Sequence, residues 1–257
     1  MNLGNDIVYL LKNYFQYYLI GLASTCILSL VGTVVGLLLG MFLGLGKNIN
    51  ILPTDPWYIK AYKYPIKVLS TIYSTVVRGT PMMVQALIFK YGCQAMGVNW
   101  NAILPGVPVF DGWMVAGLIV ITLNTTAYMG EIIRSGLNGV DKGEIEGARS
   151  LGMTPLQTMW YVALPQAIRN SLPTIGNEWI VNIKDSSVLN VIGLTELYFQ
   201  AEVAVNKNYK FMASYIIIAV IYLSMTLIAS GILKLLEYKM DGKKIKFSFF
   251  HFGKAGV

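Results

Sequence analysis

Three stretches of this 257-residue chain, 13–46, 112–130 and 211–233, contain no Asp, Glu, Lys or Arg. A helix needs about 20 apolar residues to cross the hydrocarbon core of a bilayer, and each stretch meets that length. Two further stretches, roughly 66–90 and 167–192, are apolar but interrupted by charge. The expectation is an all-α membrane protein of about five transmembrane helices, one domain over residues 1–257. Composition agrees: 13% of residues are charged, against roughly 25% in soluble domains.

The formal net charge of +7 raises the possibility of a nucleic-acid partner, but its distribution argues against one. Lys47, Lys60, Lys63 and Lys67 lie between spans one and two, and Arg134, Lys142, Arg149 and Arg169 between spans three and four. Lys234, Lys239, Lys243, Lys244, Lys246 and Lys254 follow the last span, while the opposite side has Lys12, Lys90, Lys207 and Lys210. That is 14 against 4, and cytoplasmic loops collect the positive charge. The N-terminus is therefore expected outside and the C-terminus inside.

Cys26 and Cys93 form no metal-ligand spacing and read as small packing residues. The first apolar run starts late, lacks a basic leader and is too long for a cleavable signal peptide. His251 sits in the basic tail and carries no site. Gly46-Lys47-Asn48 fails the phosphate-loop pattern at the first Gly and at the final hydroxyl, so the chain is not expected to bind ATP. With no His–carboxylate cluster, nucleophile elbow or metal set, an enzyme reading has no residues to stand on.

Within span one, Gly32, Gly36, Gly40 and Gly44 line one helix face, and Gly21, Thr25, Ser29 and Thr33 form a second row. Such rows let backbones approach closely in lipid, either inside one subunit (the preferred reading) or across a dimer seam. Trp57-Tyr58, in the connector 47–65, suits an interfacial anchor. Span two contains Arg78-Gly79-Thr80-Pro81, where Pro81 removes a donor and disfavours helix before it, so a break is expected. Irregular backbone at membrane depth must face protein or a water-filled cavity. Arg78 either serves that cavity or snorkels to the cytosolic headgroups. Glu131 and Arg134 read as an i, i+3 pair at the cytosolic end of span three.

The loop from Gly143 to Pro165 is unusually apolar for a cytosolic segment, with Leu151, Met153, Leu156, Met159 and Trp160. Residues 144–151 can form a short helix with Glu144 and Glu146 near its N-terminus and Gly152 at C′. Either the loop lies on its own bilayer face or a partner covers it; periodicity does not choose between these.

The spacing Glu146-Gly147-Ala148, three residues, Gly152, nine residues, Val162, one residue, Leu164-Pro165 resembles the cytoplasmic loop signature of importer-type ABC permeases. Gly147 stands where that pattern has Ala, and Val162 where it has Ile. Arg78-Gly79-Thr80-Pro81 with Gln85, Ala127-Tyr128 with Glu131-Ile132 and Arg134, Leu164-Pro165-Gln166-Ala167, Gly176-Asn177-Glu178-Trp179-Ile180 and Lys184-Asp185-Ser186-Ser187-Val188 narrow the resemblance to polar amino-acid permeases of the histidine/glutamine/arginine type. The resemblance implies a cytosolic coupling helix between spans three and four, with Glu146, Gly147, Ala148, Gly152, Leu164 and Pro165 contacting an ATPase. It further implies a pair of ATP-binding subunits carrying ATP and Mg, a second permease subunit (a copy or a paralogue), an extracellular amino-acid-binding protein, and the bacterial cytoplasmic membrane.

At 100° per residue, Glu178, Asn182 and Asp185 fall within about 60° of one another on a helix. A polar stripe inside a membrane is expected to face a cavity, where it can meet an ammonium or cationic side chain. Arg78 can meet a carboxylate, and Asn124 and Thr125 can add neutral hydrogen bonds. The bland alternative is that these groups lock helices together. The rival of another class is an ion-coupled secondary transporter or channel needing no ATPase; a non-transporting membrane scaffold is a further one.

Overall fold

The computed structural model describes residues 2–103 and 111–241; Lys243, Lys244, Lys246, Lys254 and His251 lie outside the described residues. Every regular element among the described residues is helical. The first charge-free stretch becomes α1, Leu3–Lys47. At 1.5 Å per residue it is roughly 68 Å long, about twice the hydrocarbon thickness, so it reaches beyond the bilayer. Its N-terminal end is tied to the start of the last helix by an ion pair between Asp6 and Lys210.

After the connector come α2, Trp57–Arg78, and α3, Met82–Ala95, separated by the expected break. The next long helix is α4, Gly112–Asn138, whose start is fixed by the Asp111 carboxylate accepting from Met114 N at 2.8 Å. Short helices α5, Lys142–Ser150, and α6, Pro155–Thr158, follow. A π-helical turn at Met159–Ala163 leads into α7, Leu164–Asp185, which runs on as a 3₁₀ turn over Ser186–Ile192. The last two helices among the described residues are α8, Leu197–Asn208, and α9, Phe211–Asp241.

Three of these helices, α1, α4 and α9, are long and apolar enough to cross a membrane. A fourth span is counted if Pro155–Ile192 and Leu197–Asn208, bent by 54° at their junction, act as one. After the 3₁₀ turn, Gly193, at φ +96°, turns the chain and the Glu196 carboxylate caps α8 through Tyr198 N and Phe199 N.

The bundle is assembled around α1. Its glycine row faces α4: a Cβ at Gly32 would stand 2.7 Å from Ile121 Cγ2, one at Gly36 2.8 Å from Thr125 Cγ2, and one at Gly44 2.7 Å from Gly130 O. The row is a seam within the subunit, and the missing side chains let α1 and α4 touch backbone to backbone. The second row faces α8 and α7. A Cβ at Gly21 would lie 2.6 Å from Leu197 Cα, and Thr25 Oγ1 accepts from Leu197 N at 3.3 Å. Cys93 is buried, but Cys26 is exposed on α1, so packing within the chain accounts only for Cys93.

Candidate functional site

The break between α2 and α3 frees backbone carbonyls from the helical ladder. One side chain takes them: Gln85 Nε2 donates to Val77 O at 2.7 Å, Thr80 O at 2.9 Å and Thr80 Oγ1 at 2.8 Å. Its own Oε1 accepts from Asn124 Nδ2 at 3.0 Å, which ties the break to α4. Asn124 is thus bonded to the broken helix, a link invisible to local sequence reading.

Below the break, four groups converge on Glu131 of α4. Lys47 from the end of α1 pairs with Oε1. Arg78 Nη1 approaches the same oxygen at 3.1 Å, and Ser74 Oγ donates to it at 3.0 Å. Arg134 Nε donates to Oε2 at 2.8 Å, so the i, i+3 pair forms as expected. Three cations therefore share one carboxylate, and the cluster joins α1, α2 and α4. The Arg78 guanidinium also lies 5.6 Å from the centre of the Tyr128 ring, a cation–π contact. Beside Glu131 a cavity of about 400 Å³ opens between α4 and α7, lined by Ser135, Gly136, Asn170, Ser171 and Thr174 among others.

The expected stripe on α7 divides. Asn182 is 3% exposed and turned into the bundle, where its Nδ2 donates to Thr33 Oγ1 at 2.8 Å and its Oδ1 accepts from Thr125 Oγ1 at 3.2 Å. Thr33 in turn donates to Ser29 O at 2.6 Å. This buried chain of hydrogen bonds joins α1, α4 and α7. Glu178 and Asp185 are only half-buried, and Glu178 stands within coulombic reach of both Asp185 and Arg78. Neither is among the ion-paired carboxylates, which in the described residues are Asp6, Asp55 and Glu131. The structure thus brings Arg78, Glu178 and Asp185 into one electrostatic neighbourhood and places Thr125 and Asn182 in the helix-joining network. Gln85, Ser74 and Lys47 are the participants that sequence reasoning missed. Only the position of Gln85 one turn after Pro81 hinted at a role.

The second candidate region follows the C-terminal end of α4. Asp141 caps α5 through Gly143 N. Gly152 adopts φ +85°, with its N–H on Arg149 O at 2.9 Å and Met153 N on Ala148 O at 3.2 Å. That pair of bonds is the Schellman arrangement, so the predicted C′ glycine ends the helix as expected. Glu146 and Gly147 are exposed, and a Cβ on Gly147 would meet nothing within 4 Å. Leu151 is 87% exposed and Leu156 68%, and Trp160 and Tyr161 are also uncovered. Ala148 and Leu164 are buried, and Gln166 at the base of α7 donates to the Glu144 carboxylate of α5. The surface is an exposed apolar patch on a short, firmly ended helix attached to α7, which suits burial against another protein.

Residues 58–242 match the family model described as binding-protein-dependent transport system inner membrane component. The chain is 32% identical over 220 residues to the glutamine transport system permease protein GlnP of Escherichia coli (strain K12), covering 86% of this chain and 91% of that one. It is 34% identical over 224 residues to the arginine transport system permease protein ArtQ of Bacillus subtilis (strain 168), covering 87% and 92%. A crystal structure of an amino acid ABC transporter with histidines superposes with a TM-score of 0.75 at 38% identity, covering 91% of this chain and 98% of that one. The inward-facing MetNI methionine ABC transporter shares the fold at a TM-score of 0.62 and 14% identity, covering 86% and 96%.

Proposed function

The chain belongs to the family of binding-protein-dependent transport system inner membrane components, and on that premise we propose that it carries a polar amino acid across the bacterial cytoplasmic membrane. It is a permease subunit of an ABC importer and not an enzyme; ATP is hydrolysed on a separate subunit. In the proposed arrangement it has five spans, α1, the broken pair α2–α3, α4, α7 with its continuation, and α9. The N-terminus lies outside and the C-terminus inside, as the positive-charge asymmetry favours. A second permease subunit, a copy or a paralogue, completes the path. Two ATPase subunits with ATP and Mg sit below, and an extracellular binding protein delivers the substrate.

The observation that carries this reading is the α5 region: an exposed helix ended by Gly152 at φ +85°, with Leu151 and Leu156 uncovered beside it. Glu146, Gly147, Ala148, Gly152, Leu164 and Pro165 form or support that contact. ATP-driven closure of the ATPases displaces α5, and α7 follows through its connection at Gln166 and the π turn. Along the path, Arg78 meets the substrate carboxylate, Glu178 and Asp185 meet its ammonium or cationic side chain, and Asn124, Thr125 and Asn182 hold the polar wall.

Reconstitution into proteoliposomes with the ATPase and binding protein tests the reading. Uptake of glutamine or arginine is expected only when all components and ATP are present; uptake by the permease alone would sink it. Intact uptake after Glu178→Ala with Asp185→Ala would remove the substrate assignment and leave the importer standing.

A further inference from the structure

Glu131 is more heavily neutralised than one carboxylate needs. Lys47, Arg78, Arg134 and Ser74 all reach it, with both oxygens engaged. Losing any one partner leaves it paired, so it avoids the large penalty of an uncompensated buried charge. Arg78 is differently placed. Its Nη1 stands 3.1 Å from Glu131 Oε1, its side chain is 42% exposed, and a guanidinium has five donors in all. It is also the last residue of α2, followed by Gly79 and the Pro81 break, so it can turn without unwinding a helix. The Tyr128 ring beneath it offers a second surface that does not depend on Glu131.

We propose that Glu131 is a positioning residue that competes with the substrate carboxylate for Arg78. It holds the guanidinium beside α4 until a free carboxylate displaces it, and Lys47, Arg134 and Ser74 then retain Glu131. The exchange trades one carboxylate–guanidinium contact for another, so it frees Arg78 from Glu131 only for ligands carrying a carboxylate, while Ser74 keeps α2 bonded to Glu131. This rests on the assignment of Arg78 as the carboxylate contact.

The test is calorimetric titration of the detergent-solubilised permease–ATPase complex, without the binding protein. The probes are whichever of L-glutamine and L-arginine binds more tightly and the methyl ester of that amino acid, which lacks the carboxylate. Wild type is expected to prefer the acid and Arg78→Gln to lose the preference. Glu131→Gln is expected to tighten the acid about tenfold, the scale of one charge-assisted contact, and leave the ester unchanged. Should Glu131→Gln fail to fold, Glu131→Asp keeps the charge on a shorter arm and shifts the acid the same way by less. If a folded Glu131 variant leaves the acid unchanged, or moves acid and ester alike, the exchange is overturned while the Arg78 assignment stands. If wild type shows no preference for the acid, or Arg78→Gln keeps one, both fall together.

Discussion

Asn182 of α7 donates to the hydroxyl of Thr33 on α1 at 2.8 Å, across 149 positions of chain. The same amide accepts from Thr125 on α4, so one side chain satisfies both neighbours. Asn182→Leu removes both bonds and leaves the buried Thr125 hydroxyl without its acceptor, while Thr33 keeps its bond to Ser29 O. A loss of about 1–2 kcal/mol is expected, the upper range for interhelical hydrogen bonds in membranes. Thermal unfolding of the purified protein in detergent measures it.

Glycines 40 and 147 should respond in opposite directions. A Cβ at Gly40 would collide with Met129 and meet Gly130 N at 3.0 Å, so Gly40→Val is expected to part α1 from α4 and cost about 1–3 kcal/mol. At Gly147 the added atom meets nothing, so Gly147→Ala is expected to stabilise α5 by up to about 1 kcal/mol. Amide exchange rates over residues 142–150 report the second effect separately from global unfolding.

Gln85 satisfies two carbonyls at the α2–α3 break and ties it to α4. Gln85→Leu would strand the carbonyls of Val77 and Thr80 together with the Asn124 amide. A fall in stability of about 1–3 kcal/mol is expected. Gln85→Glu keeps the length but supplies no donor while ionised, and is expected to be no better.

Reversing charge on the exposed face of α5 tests the docking contact. In the reconstituted importer, Glu146→Arg is expected to leave ATP hydrolysis running while uptake falls at least about tenfold, a change of roughly 1.4 kcal/mol in coupling. Normal uptake per ATP hydrolysed would count against α5 as the contact.

The connector has its own pH dependence. Hydrogen bonding from Lys63, with help from Leu52 N, holds the Asp55 carboxyl below its ordinary value. A carboxyl lowered in the folded state contributes order above its unfolded pKa of about 3.9 and loses it as pH falls through the folded value. Accessibility of residues 48–56 to an acid-active protease is therefore expected to stay constant from neutral pH down to about 4 and to rise below. Asp55→Asn should abolish that rise by making the connector open throughout.

What could be read from sequence was local. Pro81 breaks α2 because it lacks an N–H and restricts its neighbour, and Gly152 ends α5 because a left-handed residue there favours glycine. Long charge-free runs become long helices because lipid leaves the backbone no other partner. Each is a property of contiguous residues. Two expected spans were less visible because charges interrupt them, and the structure shows the reason: α2 stops at Arg78 to reach Glu131, and α7 continues into a 3₁₀ turn and a bend. Which residues met across the fold was decided by tertiary packing. The glycine row on α1 allowed a seam inside the subunit or with another subunit, and the fit of Gly36 against Thr125 places it inside, on α4. Asn182 lies within 60° of Glu178 and Asp185 on a helical wheel, yet the rotation of α7 in the bundle turned it towards Thr33 and left the two acids half-buried. Lys47 looked like a loop charge, and Glu131 like half of a surface pair, until α1, α2 and α4 were set at their mutual heights. Helix formation follows from local backbone chemistry and partition into lipid; the pairing of charges follows from rotations and offsets that only close packing fixes.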